Sequence, residues 1–270
     1  MRDLTGYNLY VRLFLSAILA LCAPLSANSQ MFEVNGHQLY LNCQGKSSNY
    51  TVVLIAGGGG STDTWDKVQT PISQFTHVCS YDRQGLGKSE PSRDGAPQSV
   101  SEIVNDLAAL LKTAQIRPPY ILVGHSVGGL YARAFDAQHD RQVVGIVLLD
   151  SSHKEQIWRF AQSEPDALKE YPRWEDRQFM ASQGFLPPGE HLAWHFSKPL
   201  IVIEHGTPPE PVWHEMQEDL ASRSPKGRFI TATHSSHYIQ KLQPQLVIDA
   251  VHLITSELNP SAKQRTGSDR

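Results

Sequence analysis

The chain has 270 residues and a formal net charge of −3, with 24 basic against 27 acidic side chains. This near-balance, free of charge runs, excludes the basic footprint of a nucleic-acid partner. The length suits one α/β domain with a modest insertion rather than two full domains, and apolar residues, at 40% of the chain, are enough to build a buried sheet.

At the N-terminus, Arg2 and Arg12 precede an apolar stretch from Leu13 to Leu25, followed by Ser26-Ala27-Asn28-Ser29-Gln30. Positive, then apolar, then small and polar is the order of a cleavable secretory signal, placed at residues 1–29 with cleavage after Ala27 or Ser29. The apolar stretch is too short to span a bilayer as an ordinary helix, so no stable membrane anchor is expected. The expected location is the periplasm or the medium. Cys22 leaves with the signal, and Cys43 and Cys79 remain as one disulfide or as two buried thiols.

The domain is expected over residues 30–258. Phe32-Glu33-Val34 and His37 to Asn42 flank Asn35-Gly36, the signature of a hairpin with a type I′ turn. A continuous apolar run follows at Thr51–Ala56, as in strands buried on both faces of a parallel sheet, and further strands are expected at His77–Asp82, Tyr120–Gly124, Val143–Asp150, Leu200–Ile203 and Arg228–Thr231. Helical spacing of apolar residues marks Val100–Ala114, Leu130–Ala137 and Gln243–Leu258. Strand alternating with helix implies a mainly parallel sheet wrapped by helices. Residues 151–198 break the rhythm and carry Trp158, Phe160, Tyr171, Trp174, Phe179, Trp194 and Phe196, which reads as a small helical cap. Those aromatics either contact substrate or form the cap's own core. Residues 259–270 read as a polar, disordered tail.

Chemistry concentrates at Gly124-His125-Ser126-Val127-Gly128, a G-x-S-x-G placed between an apolar strand and a helix. A serine on such a turn stands above the sheet and at a helix N-terminus, where free N–H groups face developing negative charge. Its base is expected in the loop between the last strand and last helix, where His237 is favoured over His234. The oxyanion hole needs two backbone donors. Val127 supplies one, and Gly58, in the run Gly57–Gly60, supplies the other.

Four segments together resemble the α/β-hydrolase superfamily: Ile55-Ala56-Gly57-Gly58, Tyr81-Asp82-Arg83-Gln84-Gly85-Leu86-Gly87-Lys88-Ser89, Gly124–Gly129 and Ser236-His237-Tyr238-Ile239. The resemblance covers residues 32–256 and implies the α/β-hydrolase fold, with a mostly parallel sheet, flanking helices and a small helical cap. Ala56 departs from it, since many members carry a histidine there. The resemblance offers two places for the triad acid. After the seventh strand it would be Glu210, in the stretch from Glu204; at the end of the sixth it would be Asp150, which is favoured. It also makes the second and fourth strands neighbours, which would pair Cys43 with Cys79.

Three other patterns fail on inspection. A P-loop ending at Gly87-Lys88-Ser89 would need glycine where Asp82 stands, and a dinucleotide fingerprint would need it at Glu90. A zinc-protease helix beginning at His214-Glu215 would need histidine at Glu218. No metal or nucleotide cofactor is therefore implied. The expected function is ester hydrolysis by Ser126, His237 and Asp150, on a small, mainly apolar ester. Lactone, thioester, amide and carbon–carbon substrates, or a binding role on the same scaffold, remain open.

Overall fold

The computed structural model describes residues 28–259 apart from 93, 94, 164, 172, 190–193, 195 and 209. The expected signal up to Ala27 and the tail from residue 260 lie outside the described residues. Among the described residues, the strands are β1 Asn28–Val34, β2 His37–Gln44, β3 Thr51–Ile55, β4 His77–Tyr81, β5 Tyr120–His125, β6 Val143–Leu149, β7 Leu200–His205 and β8 Gly227–Ala232. They form one sheet in the order β1-β2-β4-β3-β5-β6-β7-β8. The β1–β2 and β2–β4 pairings are antiparallel, and all others are parallel.

The hairpin at one edge follows from its turn. Val34 pairs with His37, and Asn35 and Gly36 take φ of 49° and 90°, the positive values that a type I′ turn needs and that Asn-Gly tolerates best. β1 begins at Asn28, earlier than the apolar pattern suggests, because Asn28 and Ser29 pair with Cys43 and Asn42. Cleavage after Ala27 would keep the whole strand, whereas cleavage after Ser29 would remove its first two residues.

Helices cover both faces. They are α1 Gln69–Ser73, α2 Val100–Thr113, α3 Val127–His139, α4 Gln156–Ser163, α5 Arg177–Ser182, α6 Pro211–Ser222, α7 Ile239–Leu242 and α8 Pro244–Leu258. Side chains alternate across a strand, so each central strand feeds both cores. Leu122, Leu148 and Val202 pack with Leu107, Phe135, Met216 and Leu220 of α2, α3 and α6. Val147 and Ile203 pack on the other side with Ile72, Ile239, Val251 and Ile254 of α1, α7 and α8. α6 was not among the helices expected. Its buried Trp213, Met216, Gln217 and Leu220 do follow helical spacing, with a proline in the first turn. Between β6 and β7, α4, a 3-10 turn at Pro165–Glu170 and α5 occupy the aromatic-rich stretch.

Cys43 lies directly opposite Cys79 across β2 and β4. The two form a disulfide with a Cα separation of 4.1 Å, closing a loop of 36 residues. Both cysteines belong to the core, so the bridge fastens the antiparallel edge of the sheet to its parallel centre. Replacing both cysteines by serine, or reducing the bridge, should lower the free energy of unfolding by about 2–4 kcal/mol. Urea unfolding of oxidised and reduced protein measures this; equal midpoints would mean the bridge adds nothing.

Candidate active site

Ser126 sits between β5 and α3 with φ 54° and ψ −129°, a conformation that non-glycine residues rarely hold. The surroundings enforce it. The Ser126 N–H donates to Leu149 O at the end of β6, and its carbonyl accepts from Gly129 and Ser152 N–H. The turn closes only because two neighbours lack a Cβ. One added at Gly124 would lie 2.5 Å from Gly128 O, and one at Gly128 would lie 2.2 Å from Ile55 O.

The loop after β3 faces this turn. A Cβ at Gly57 would meet the Cβ of Ser126 at 3.0 Å, and the space beside Gly58 opens towards the Val127 side chain. Arg83, buried at the end of β4, fixes the loop by donating to Ala56 O and Gly57 O, each at 2.5 Å. In a trans peptide the carbonyl of one residue and the N–H of the next point opposite ways. Holding Gly57 O therefore fixes the direction of the Gly58 N–H. Asp82 completes the frame, accepting from the N–H of Thr62 at 2.6 Å and of Lys88 at 2.8 Å. This explains the Asp82-Arg83 portion of its segment, for which the sequence alone offered only resemblance.

His237 lies in the loop after β8, and its Nδ1 is 2.5 Å from Asp150 Oδ2. The competitor His234 is exposed and uses its backbone N–H on Gln243. Glu210 approaches a different imidazole, His205 Nε2, at 3.8 Å. His125, inside the turn, is tied to His237 by a 2.9 Å bond from Nε2 to the His237 carbonyl. Burial, and next the proximity of His237, push His125 down to about 4, so near neutral pH it is uncharged and donates.

Asp150 follows β6 with φ 45° and no solvent exposure. Besides His237, its Oδ1 accepts from Trp213 Nε1 at 2.7 Å, from the His205 N–H at 3.0 Å and from His205 Nδ1 at 2.8 Å. Burial raises the carboxyl's proton affinity, but the bonds from His205 and His237 outweigh it and hold the group well below the usual carboxylate range. An ionised carboxylate beside Nδ1 of His237 favours the tautomer with its proton there and leaves Nε2 as the basic atom. His205 and Trp213 escaped the sequence reading, because only the fold brings the ends of β6 and β7 and the start of α6 together.

Ser126 and His237 line two adjoining cavities. One, of about 350 Å³, runs under Gly57–Gly60 towards Tyr238 and Lys241. The other, of about 450 Å³, is bounded by Gln156, Phe160, Tyr171, Glu210 and Trp213. Of the insert's aromatics, Phe160 and Tyr171 reach this cavity, while Trp194 and Phe196 pack on α3 and its surroundings. A larger cavity, about 920 Å³, opens beside the disulfide at the N-terminal ends of the strands, away from Ser126. There Cys43, His77 and Cys79 bring ligand atoms within 4.8 Å of one another, but the disulfide uses both thiols that a metal would need.

The model of the Alpha/beta hydrolase family matches residues 52–250. The chain belongs to that family. Its match includes Gly58, Arg83, Ser126, Asp150, His205 and His237. Among curated relatives, YqjL of Bacillus subtilis is 28% identical over 232 residues, which cover 82% of this chain and 89% of YqjL. The chain spans only 29% and 18% of the next two relatives it matches. Among solved structures, the enol-lactonase of Burkholderia xenovorans LB400 superposes with a TM-score of 0.62 at 19% identity, over 84% of this chain and all of that one. A putative lipase of Acinetobacter baumannii gives 0.67 at 19% identity, over 86% and 92%. These likenesses establish the α/β-hydrolase fold and the hydrolase family.

The turn that carries Ser126 predicts a sharp contrast between two glycines. Gly128→Ala should cost more than about 1–3 kcal/mol, because backbone atoms cannot move aside for the methyl group. Gly58→Ala meets only Val127 Cγ1 at 4.0 Å and should change stability by less than about 0.5 kcal/mol. Urea denaturation of the two variants measures the difference.

Proposed function

We propose that this hydrolase is exported and cleaves a carboxylic ester through an acyl-enzyme, with Ser126 as nucleophile, His237 as general base and Asp150 as the acid that orients it. The observation that carries the reading is the 2.5 Å bond from His237 Nδ1 to a buried, fully paired carboxylate, in a cavity that also holds a serine with positive φ. Ser126 Oγ adds to the ester carbonyl as His237 Nε2 takes its proton. The negative oxygen is met by the N–H groups of Val127 and Gly58. His237 then protonates the leaving alcohol, and water attacks the acyl-enzyme by the reverse sequence.

Export rests on the N-terminal charge and apolar order together with the disulfide, a bond that persists in oxidising compartments. Among the described residues, no helix is long and apolar enough to cross a membrane. The cavity of about 450 Å³ suits a small substrate, and its lining combines the apolar Phe160, Tyr171 and Trp213 with the polar Gln156 and Glu210. The likenesses to an enol-lactonase and a putative lipase are consistent with acyl chemistry on this fold.

Hydrolysis of p-nitrophenyl esters of graded chain length tests the reading. Short acyl chains should be cleaved, and Ser126→Ala should abolish turnover. Asp150→Asn should lower kcat by about 10⁴-fold, because an amide neither fixes the right tautomer nor stabilises an imidazolium. Glu210→Gln should change kcat by less than about tenfold. A severe loss in Glu210→Gln with a mild one in Asp150→Asn would move the acid to the segment after β7.

A further inference from the structure

The carboxylate of Asp150 holds two imidazoles at once, and the proposed mechanism uses only one of them. His205 closes β7 and is 9% exposed. Its Nδ1 lies 2.8 Å and 3.0 Å from the two oxygens of Asp150. The arrangement is built into the sheet. β6 and β7 run parallel with Leu149 beside Ile203, so the residues just beyond them emerge together at the same edge. The Asp150 N–H donates to Ile203 O and the His205 N–H returns to Asp150 Oδ1, locking the two backbones. Trp213, from α6, closes the other side of the carboxylate.

Because Nδ1 of His205 donates to Asp150, a neutral His205 would direct a lone pair from Nε2. That atom lies 3.8 Å from the Glu210 carboxylate. A proton on Nε2 would place a positive ring between two carboxylates, which favours it there. The charged groups that act on His205 are Asp150 from the end of β6, Glu210 from the segment before α6 and Glu204 from β7 itself. Glu204 is already engaged by His214 Nδ1 at 2.9 Å and Thr231 Oγ1 at 2.7 Å. His237 is bonded to the same Asp150 carboxylate, and the His125 ring from the end of β5 packs 4.6 Å from it. The bond to Asp150 raises the proton affinity of His205, with burial opposing, and Glu210 and Glu204 add to the rise.

We propose that His205 is a positioning residue that shares Asp150 with His237 and, once protonated, opposes protonation of His237. A positive His205 offsets the charge of Asp150 that would otherwise stabilise a His237 imidazolium. This inference rests on the assignment of His237 as the base for Ser126, and its test is chosen to separate the two.

The test is the second-order rate at which a fluorophosphonate labels the oxidised protein from about pH 4.5 to about pH 8.5, a range that covers histidine titration. Labelling needs Ser126 and its base but no knowledge of the substrate. His205→Asn keeps an N–H donor where Nδ1 stands and removes the titrating ring. Its limiting rate at high pH should stay within a few-fold of the parent's. Its acid limb should move up by about one pH unit, because the charge of Asp150 is then no longer shared with a second imidazolium. An unmoved acid limb would make His205 a packing residue and overturn the proposal. If His205→Asn does not fold, the imidazole Cε1–H resonances of the parent protein decide: His205 must gain its proton at higher pH than His237, and the opposite order overturns the proposal. A parent protein that is not labelled at any pH would overturn the assignment of Ser126 and His237 first, and the inference with it.

Discussion

Asp150 carries a negative charge where no solvent reaches, and donors from three separate elements converge on it. A buried carboxylate without partners would take up a proton or unfold its surroundings. Here His205, Trp213 and His237 replace water, and in doing so they tie together β7, α6 and the loop after β8. The interaction works in both directions. The charge is tolerable because the fold supplies donors, and the loop bearing His237 is placed because the charge requires a fourth donor. Asp150 itself is held at positive φ, a backbone cost that the fixed carboxylate offsets.

Around that centre the remaining parts are set by close packing and by peptide direction. Ser126 stands clear of the sheet because α3 presses against β3 through residues without side chains, and its own N–H is held by β6. The glycine loop is placed from behind by Arg83, whose guanidinium grips two successive carbonyls. Ala56 departs from the superfamily pattern that the sequence resembles, which has a histidine there. Here support reaches the same loop from β4. The cavities that meet at Ser126 thus have one wall fixed by Arg83 and another fixed by Asp150.

The central strands were legible in the sequence because strands buried on both faces read as unbroken apolar runs, and Val143–Leu149 is the clearest. The hairpin was legible from Asn35-Gly36, and the strand–turn–helix around Ser126 from its glycines. The bridge from Cys43 to Cys79 followed once neighbouring strands were known. α6 left a periodic trace at Trp213, Met216, Gln217 and Leu220 that could have been read. The company of Asp150 left none. Twelve histidines make His205 unremarkable in the sequence, and only the register of β6 against β7 brings it to the carboxylate. Asp150 and Glu210 both follow strand ends in the sequence, so local pattern cannot tell them apart. In the structure Asp150 meets His237, whereas Glu210 lies against His205.

The account turns on one carboxylate binding two imidazole N–H groups, and proton NMR observes that directly. The parent protein near neutral pH should show two exchange-protected resonances far downfield of the amide envelope, one each from His237 and His205 Nδ1–H, and both should vanish in Asp150→Asn. Downfield resonances that survive Asp150→Asn and vanish in Glu210→Gln would contradict it.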